Sequence, residues 1–117
     1  MNTSLHFSDP IEEPMPIYPI PGEWIIEGEP DSRGRILLES ADGQLSCGQW
    51  RCTPSKFRWE YRFDEFIWLK EGEVTISIEG GTTMSLRAGD TAHFSSGTVA
   101  VWHIIRPVHK VFFCRNC

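Results

Sequence analysis

The chain has 117 residues and a formal net charge of −5, and 40% of its residues are hydrophobic, including five Trp and seven Phe. This length supports one domain of modest size, and the apolar fraction is too high for a disordered chain. The acidic balance, without any run rich in Lys or Arg, excludes nucleic acid and an anionic membrane as expected partners.

No apolar run approaches the roughly 18 residues that span a membrane. The first residues, MNTSLHFSDP, lack the basic region and apolar stretch of a secretion signal. Four Cys are too few for a disulfide scaffold of this length. We therefore expect a cytoplasmic protein whose thiols are mostly reduced.

Residues 1–23 are rich in proline, which removes an amide donor and restricts the preceding residue. The sequence predicts an extended arm here, followed by a single domain over residues 24–117. The apolar side chains of the arm make docking on a second subunit plausible, and we expect a homodimer. These side chains are Ile11, Met15, Ile17, Tyr18 and Ile20.

From residue 24 onward, short β-rich runs alternate with turn residues: WII, RILLES, LSCGQWRC, FIWLKEGEVTISI, TTMSLRAGD, TAHF, TVAVWHII and VHKVFFC. Strands at this spacing predict an antiparallel sandwich or barrel. No window offers three turns of helical periodicity, so the fold class is all-β. The alternation places Val74, Ile76 and Ile78 on one face, which predicts that this face is the core.

The runs SADGQLSCGQWRCTPSKFRWEYRFDEFIWLKEGEVTI and RAGDTAHFSSGTVAVWHIIRPVHKVFF resemble the small single-domain cupins of the Cupin_3 group. That group is similar to the domain of ureidoglycine aminohydrolase and to an ethanolamine-utilisation cupin. The resemblance covers residues 24–113. It implies a cupin-type double-stranded β-helix, an RmlC-like jelly-roll barrel, and it implies pairing of subunits at sheet edges. Cupins host many chemistries, so it says little about activity.

The first general cupin motif contains two metal-binding histidines followed by a glutamate, and Glu65 matches that glutamate. One spacing puts the histidine positions at Arg58 and Glu60, and the other puts them at Trp59 and Tyr61. Neither spacing provides a histidine.

In the second motif, Ala100 stands at the position of the third histidine. A divalent ion needs three or four converging N or O donors. We therefore predict no metal and no cofactor. A divalent ion would need an unusual set such as Glu60, Glu65 and His93.

Glu65 is the candidate catalytic residue, because a carboxylate buried among aromatic rings suits general acid or base work. The alternative is a structural ion pair with a nearby basic group such as Arg58 or Arg62. Alternation from Ala100 turns Trp102 inward, where its ring either fills the barrel or stacks against a flat or cationic ligand.

Further candidate ligand-binding residues lie at the mouth of the barrel. Trp59, Glu60 and Tyr61 form a polar and aromatic set there, with the alternative of a solvated strand. His93 shares the inward face with Ala100 if the two residues pair across the SSGT loop, and it otherwise points outward.

The cysteines allow two interpretations. Cys114 and Cys117 have CxxC spacing and, with Cys47 and Cys52, could form a four-thiolate zinc site. However, Cys47 and Cys52 are an odd number of residues apart on one strand and point to opposite faces. A CxxC pair that oxidises is the preferred interpretation.

Three functions remain open. The first is metal-independent binding of a small polar metabolite, an amine or a nitrogen-rich molecule, in a pocket lined by Trp59, Tyr61, Glu65, Trp102 and His93. The second is an enzyme of nitrogen or amino-acid catabolism with Glu65 as its acid or base. The third is an accessory subunit with a packed barrel.

Overall fold

The computed structural model describes residues 15–117, which form strands and turns apart from one short 3-10 helix at Gly22–Trp24. The all-β prediction is therefore confirmed. The strands are β1 Ile25–Glu27, β2 Ser32–Glu39, β3 Leu45–Cys52, β4 Ser55–Glu60, β5 Asp64–Ile78, β6 Thr83–Arg87, β7 Thr91–Phe94 and β8 Val99–Arg115.

Two long antiparallel strands, β5 and β8, form the centre of the barrel. They pair from Asp64 opposite Arg115 to Ile78 opposite Ala100. The first half of β8 also pairs with β4 and its second half with β3, while β5 pairs first with β7 and then with β6. Because each long strand takes part in both halves of the sheet, the sheet curls into a jelly-roll barrel.

The bend in β5 depends on a glycine. The register between β5 and β8 shifts around Gly72, whose φ is +96°. A Cβ atom at this position would lie 2.3 Å from the carbonyl oxygen of Pro107. Only glycine allows both this conformation and this close approach. The position therefore fixes how sharply β5 turns around the core.

The core lies on the inner faces of β3, β4, β5 and β8. Val74 and Ile76 are fully buried, as the alternation predicted, and Ile78 is half-buried and packs against them. Large aromatic side chains fill much of the remaining interior, and Trp102 and Phe57 are at most 2% exposed. The inner surface of the barrel is therefore mostly aromatic and apolar.

The described part of the N-terminal arm, residues 15–21, lies along β2 of its own chain. The Tyr18 amide donates to the Ser32 carbonyl at 2.8 Å, and the Gly34 amide donates to the Pro16 carbonyl at 3.0 Å. Met15 and Ile20 are each 8% exposed. The part of the arm before residue 15 is outside the described residues, so its docking on a second subunit stays a prediction. Within residues 15–117 no helix has the length and apolar character needed to cross a membrane.

Candidate functional site

The inner faces of the strands enclose a cavity of about 540 Å³ between the two halves of the barrel. Eight aromatic residues form much of its wall, and four charged residues also line it: Arg35, Glu39, Glu65 and Lys110. Residues 16–18 of the arm close one side. The lining includes Trp50, Phe57, Trp59, Tyr61, Phe63, Trp102, Phe112, Glu65, Lys110, Cys114 and Cys117.

A buried ion pair is the main polar feature of the cavity. Lys110 Nζ donates a hydrogen bond to Glu65 Oε2 at 2.8 Å, and the two side chains are only 10% and 7% exposed. Glu65 therefore faces the interior, as expected for its motif position. Its partner is a basic group, as in the ion-pair alternative, but this group is Lys110 and not Arg58 or Arg62.

Sequence reasoning missed Lys110, although a signal was present. The inward positions Ala100, Trp102 and Ile104 of β8 are followed by an interruption at Arg106, which is exposed, and the pattern resumes at residues 108, 110, 112 and 114, which line the core or cavity. Lys110 is the one charged side chain at these last four positions. A buried lysine requires a partner, and Glu65 lies within hydrogen-bond distance in the same cavity.

Three aromatic rings surround the Lys110 ammonium. Nζ lies 4.8 Å from the ring centroid of Trp50, 5.0 Å from that of Trp102 and 5.8 Å from that of Phe112. Each ring face attracts a cation, and the attraction is strongest where water is excluded. The carboxylate and the rings together hold the ammonium inside the barrel.

Tyr61 and Trp102 form a second polar contact in the wall. Trp102 Nε1 donates to Tyr61 Oη at 3.1 Å. Burial and the nearby charge of Glu65 raise the pKa of Tyr61 well above its ordinary value, against the opposing effect of the Trp102 hydrogen bond. The phenol therefore stays protonated at neutral pH. Its ring stacks on Phe94 at a centroid distance of 4.6 Å, which fixes its position.

The structure shows which of the four residues at the possible histidine positions face the cavity and which face outward. Trp59 and Tyr61 line the cavity, whereas Arg58 and Glu60 point to the outer face, where they form an ion pair at 2.7 Å. Alternation along β4 causes this separation. Trp59 and Tyr61 therefore stand where metal-binding histidines would be, and the expectation that Glu60 helps to line the barrel pocket was wrong.

His93 is exposed on the outer face, which is one of the two positions that the sequence left open, and it therefore does not line the barrel pocket as the ligand-binding prediction required. β7 pairs with β5, which puts His93 opposite Phe66 and turns Phe94 inward opposite Glu65. Ala100 pairs with other strands. His93 and Glu65 both border a second depression of about 480 Å³, but their side chains belong to opposite faces of the sheet.

The donor set does not fit a divalent metal. Over residues 15–117, no group of three or more His, Cys, Asp or Glu side chains is placed to hold an ion. At the matched cupin positions stand Trp59, Tyr61 and Ala100, and the remaining carboxylate, Glu65, already accepts the Lys110 ammonium. The expected alternative set of Glu60, Glu65 and His93 does not converge.

The structure joins Cys114 and Cys117 in a disulfide, which is the oxidised pair preferred in the sequence interpretation over a zinc site. Cys47 and Cys52 are free thiols. Burial raises the pKa of both, that of Cys52 to about 11, so these two thiols are poor nucleophiles at neutral pH.

A curled antiparallel jelly roll with a cavity between its halves is the architecture of the cupins. The chain belongs to the Cupin_3 family, described as the EutQ-like cupin domain, whose sequence profile matches residues 39–112. The family resemblance and the RmlC-like barrel predicted from the sequence are confirmed.

Similar solved structures support the same fold. A protein of unknown function from the DUF861 family of Pseudomonas syringae pv. tomato is 25% identical, with a TM-score of 0.79 over 88% of this chain and 45% of that one. The Clostridium difficile EutQ protein is 17% identical, with a TM-score of 0.64 over 74% of this chain and 68% of that one.

An RmlC-like cupin from Shewanella frigidimarina is similar over almost the full length of both chains. It covers 97% of this chain and 93% of the other, at 16% identity and a TM-score of 0.67. This likeness concerns the fold alone. Among the curated proteins, none matches this sequence.

Proposed function

We propose that this cupin binds a small, nitrogen-rich molecule inside the barrel without a metal ion. The observation that carries the proposal is the Lys110–Glu65 ion pair, which is buried inside an aromatic cavity of about 540 Å³. Ligand pockets are typically apolar cavities of about 300–1,000 Å³ with a few convergent polar groups. The cavity has this size and composition.

The ion pair favours a ligand with a donor and an acceptor side by side. A lysine ammonium has three N–H donors, and Glu65 uses one of them. Another can donate to a ligand carbonyl. The carboxylate has a second oxygen, Oε1, which can accept from a ligand N–H. An amide or urea group offers a carbonyl acceptor for Lys110 and an N–H donor for Glu65 in one plane.

The aromatic wall suits the flat faces of such a group. Trp59, Trp102 and Phe112 present ring surfaces to the cavity, and stacking on them needs no charge on the ligand. A simple cationic amine would meet the Lys110 ammonium, which already lies between the rings. We therefore favour an uncharged nitrogen-rich ligand over a free amine.

Catalysis by Glu65 is the alternative function. The Glu65 carboxylate accepts a hydrogen bond from the Lys110 ammonium inside the cavity, and it is the candidate acid or base. Taking a proton from a substrate would require the ion pair to rearrange. Product analysis after incubation with each bound compound separates turnover from binding. A packed accessory barrel is the third alternative, and it predicts no ligand at all.

Thermal unfolding with a panel of amides, ureas, amines and carboxylates, in excess chelator, tests the proposal. A ligand at a hundred times its dissociation constant adds ~2.7 kcal/mol of stability. We expect stabilisation by amides or ureas, and loss of this effect in Glu65→Gln, which keeps the size of the side chain. Arg58→Met on the outer face is the matched control and should respond like the wild type. No response to any compound would contradict the proposal.

We also propose that the protein is a cytoplasmic homodimer. An apolar row crosses the outer face in register from Leu38 through Cys47 and Phe113 to Phe66. Phe113 is 51% exposed and Phe66 is 43% exposed. Adjacent exposed aromatic rings of this kind support an interface between two subunits.

A further inference from the structure

The Cys114–Cys117 disulfide forms part of the cavity wall, and the proposed ligand binding does not use it. It closes the short segment Cys114-Arg115-Asn116-Cys117, and both cysteines line the cavity. Cys114 stands at the end of β8, directly opposite Glu65 of β5 and Ser46 of β3. The disulfide is therefore placed beside the buried ion pair.

The two sulfur-bearing residues differ in their access to solvent. Cys114 is 4% exposed, whereas Cys117 is an exposed residue. Thiol–disulfide exchange begins when a thiolate reaches one sulfur of the bond, and access decides which sulfur is attacked. An incoming thiolate therefore meets Cys117, and Cys114 becomes the leaving group on the inner side.

The disulfide contributes little as a structural cross-link. It spans a separation of three residues, and a short closed loop removes little entropy from the unfolded chain compared with a long one. The segment is also held by the hydrogen bond from the Asn116 amide to the Gln44 carbonyl at 2.7 Å, without help from the sulfurs. A pair of this kind can open while the barrel stays folded.

We propose that Cys114 and Cys117 form a redox-active dithiol–disulfide site that exchanges with cellular thiols, with Cys117 as the attacked sulfur. In the first step a partner thiolate bonds to Cys117 Sγ. The Cys114–Cys117 bond breaks, and Cys114 leaves as a thiolate that takes up a proton.

In the second step another partner thiolate attacks the partner sulfur bonded to Cys117. The products are two protein thiols and one oxidised partner disulfide. Two electrons pass from the partner to the protein, and the two partner protons end on Cys114 and Cys117. The reverse reaction restores the bond.

To test this site, the wild-type protein is incubated in buffers that contain reduced and oxidised glutathione at a series of ratios. After each incubation, free thiols are alkylated with iodoacetamide and located by peptide mass spectrometry. We expect Cys114 and Cys117 to change together from disulfide to dithiol across this series of ratios, and to form the disulfide again on reoxidation. Cys47→Ser should give the same midpoint, because Cys47 takes no part.

Two variants identify the attacked sulfur. In Cys114→Ser, Cys117 should form a mixed disulfide with glutathione. In Cys117→Ser, Cys114 should form no such adduct, because it is buried. Urea unfolding of both variants checks that the barrel remains folded. A pair that stays oxidised or stays reduced across all ratios overturns the proposal, as does a glutathione adduct that forms on Cys114 in preference to Cys117.

Discussion

Lys110 Nζ lies 2.8 Å from Glu65 Oε2 inside the barrel, where the family pattern would place a metal ligand at Glu65. The ammonium supplies a positive charge to this carboxylate from the chain itself. The three rings around Nζ stabilise the ammonium at this position, because ring faces attract cations. The relationship explains how a cupin barrel can keep the glutamate while its histidine positions hold Trp59, Tyr61 and Ala100.

The first prediction concerns the stability of the ion pair. Lys110→Met should lower the free energy of unfolding by about 3–5 kcal/mol, because it leaves the Glu65 carboxylate buried without its partner. Urea unfolding measures the change. The exposed pair of Arg58 and Glu60 is the matched control, and Arg58→Met should cost less than about 1 kcal/mol.

A double-mutant cycle distinguishes the pair from the individual side chains. Lys110→Met combined with Glu65→Gln should cost less than the sum of the two single changes, because each single change leaves one charge of the pair buried without its partner and the double variant leaves neither. Strictly additive costs would show that the two side chains do not depend on each other in the folded protein.

The second prediction is that the ring cage accepts a free cation once the lysine is removed. Lys110→Ala leaves Glu65 and the rings of Trp50, Trp102 and Phe112 around the vacated ammonium position. Propylammonium should therefore raise the melting temperature of this variant more than that of the wild type. Propanol, which is similar in shape and uncharged, is the control ligand. Equal increases in melting temperature for the wild type and Lys110→Ala would show that the three rings and Glu65 do not form a cation-binding cage.

The third prediction concerns pH and His109, which lies on β8 and is 1% exposed. Among residues 15–117, neither ring nitrogen has a hydrogen-bond partner. Burial, Arg51 of β3 and Lys70 of β5 lower its pKa to about 4, and Glu71 of β5 opposes them. The unfolded chain binds this proton below about pH 6.5. Stability should therefore fall as pH drops from about 6.5 towards 4, by roughly 1.4 kcal/mol per unit.

Urea unfolding of His109→Leu at each pH isolates this contribution from that of the carboxylates. The variant should lose less stability than the wild type between pH 6.5 and 4. His103→Leu, at an exposed position of the same strand, should follow the wild type. Parallel curves for the wild type and His109→Leu would show that His109 is not the responsible group.

The fourth prediction tests the proposed homodimer. Phe113→Lys places a charge in the apolar row of the outer face, next to Phe66 at a ring distance of 6.4 Å. Light scattering after gel filtration should give the mass of a dimer for the wild type and of a monomer for this variant. Ile105→Lys, at a residue that is 44% exposed on the same strand, should stay dimeric. A wild-type monomer would refute the homodimer.

Strand alternation was the most reliable guide in this sequence. It correctly predicted the burial of Val74 and Ile76, because one face of each strand packs on the core. The all-β class was correctly predicted from the spacing of strands and turns and from the lack of helical periodicity. The match to the family motif correctly predicted that Glu65 faces the interior of the barrel. The same alternation along β8 is interrupted at Arg106, which has the parity of Lys110 but is exposed, so alternation alone does not distinguish Lys110 as the buried cation.

Cross-strand register could not be predicted from local pattern. His93 would face inward only if it paired with Ala100, but β7 pairs with β5 instead. A one-residue difference in register reverses the face of every side chain in a strand. For the same reason the sequence left two spacings open in β4, and only the pairing showed that Trp59 and Tyr61 face inward.

Elemental analysis of the protein, purified without a histidine tag or a chelator, decides whether the barrel holds a metal ion. We expect far less than one transition-metal ion per chain, because Lys110 supplies the cation that Glu65 requires. A stoichiometric metal that disappears in Glu65→Gln would contradict this expectation. The barrel would then be a metal site with ligands that this structure does not bring together.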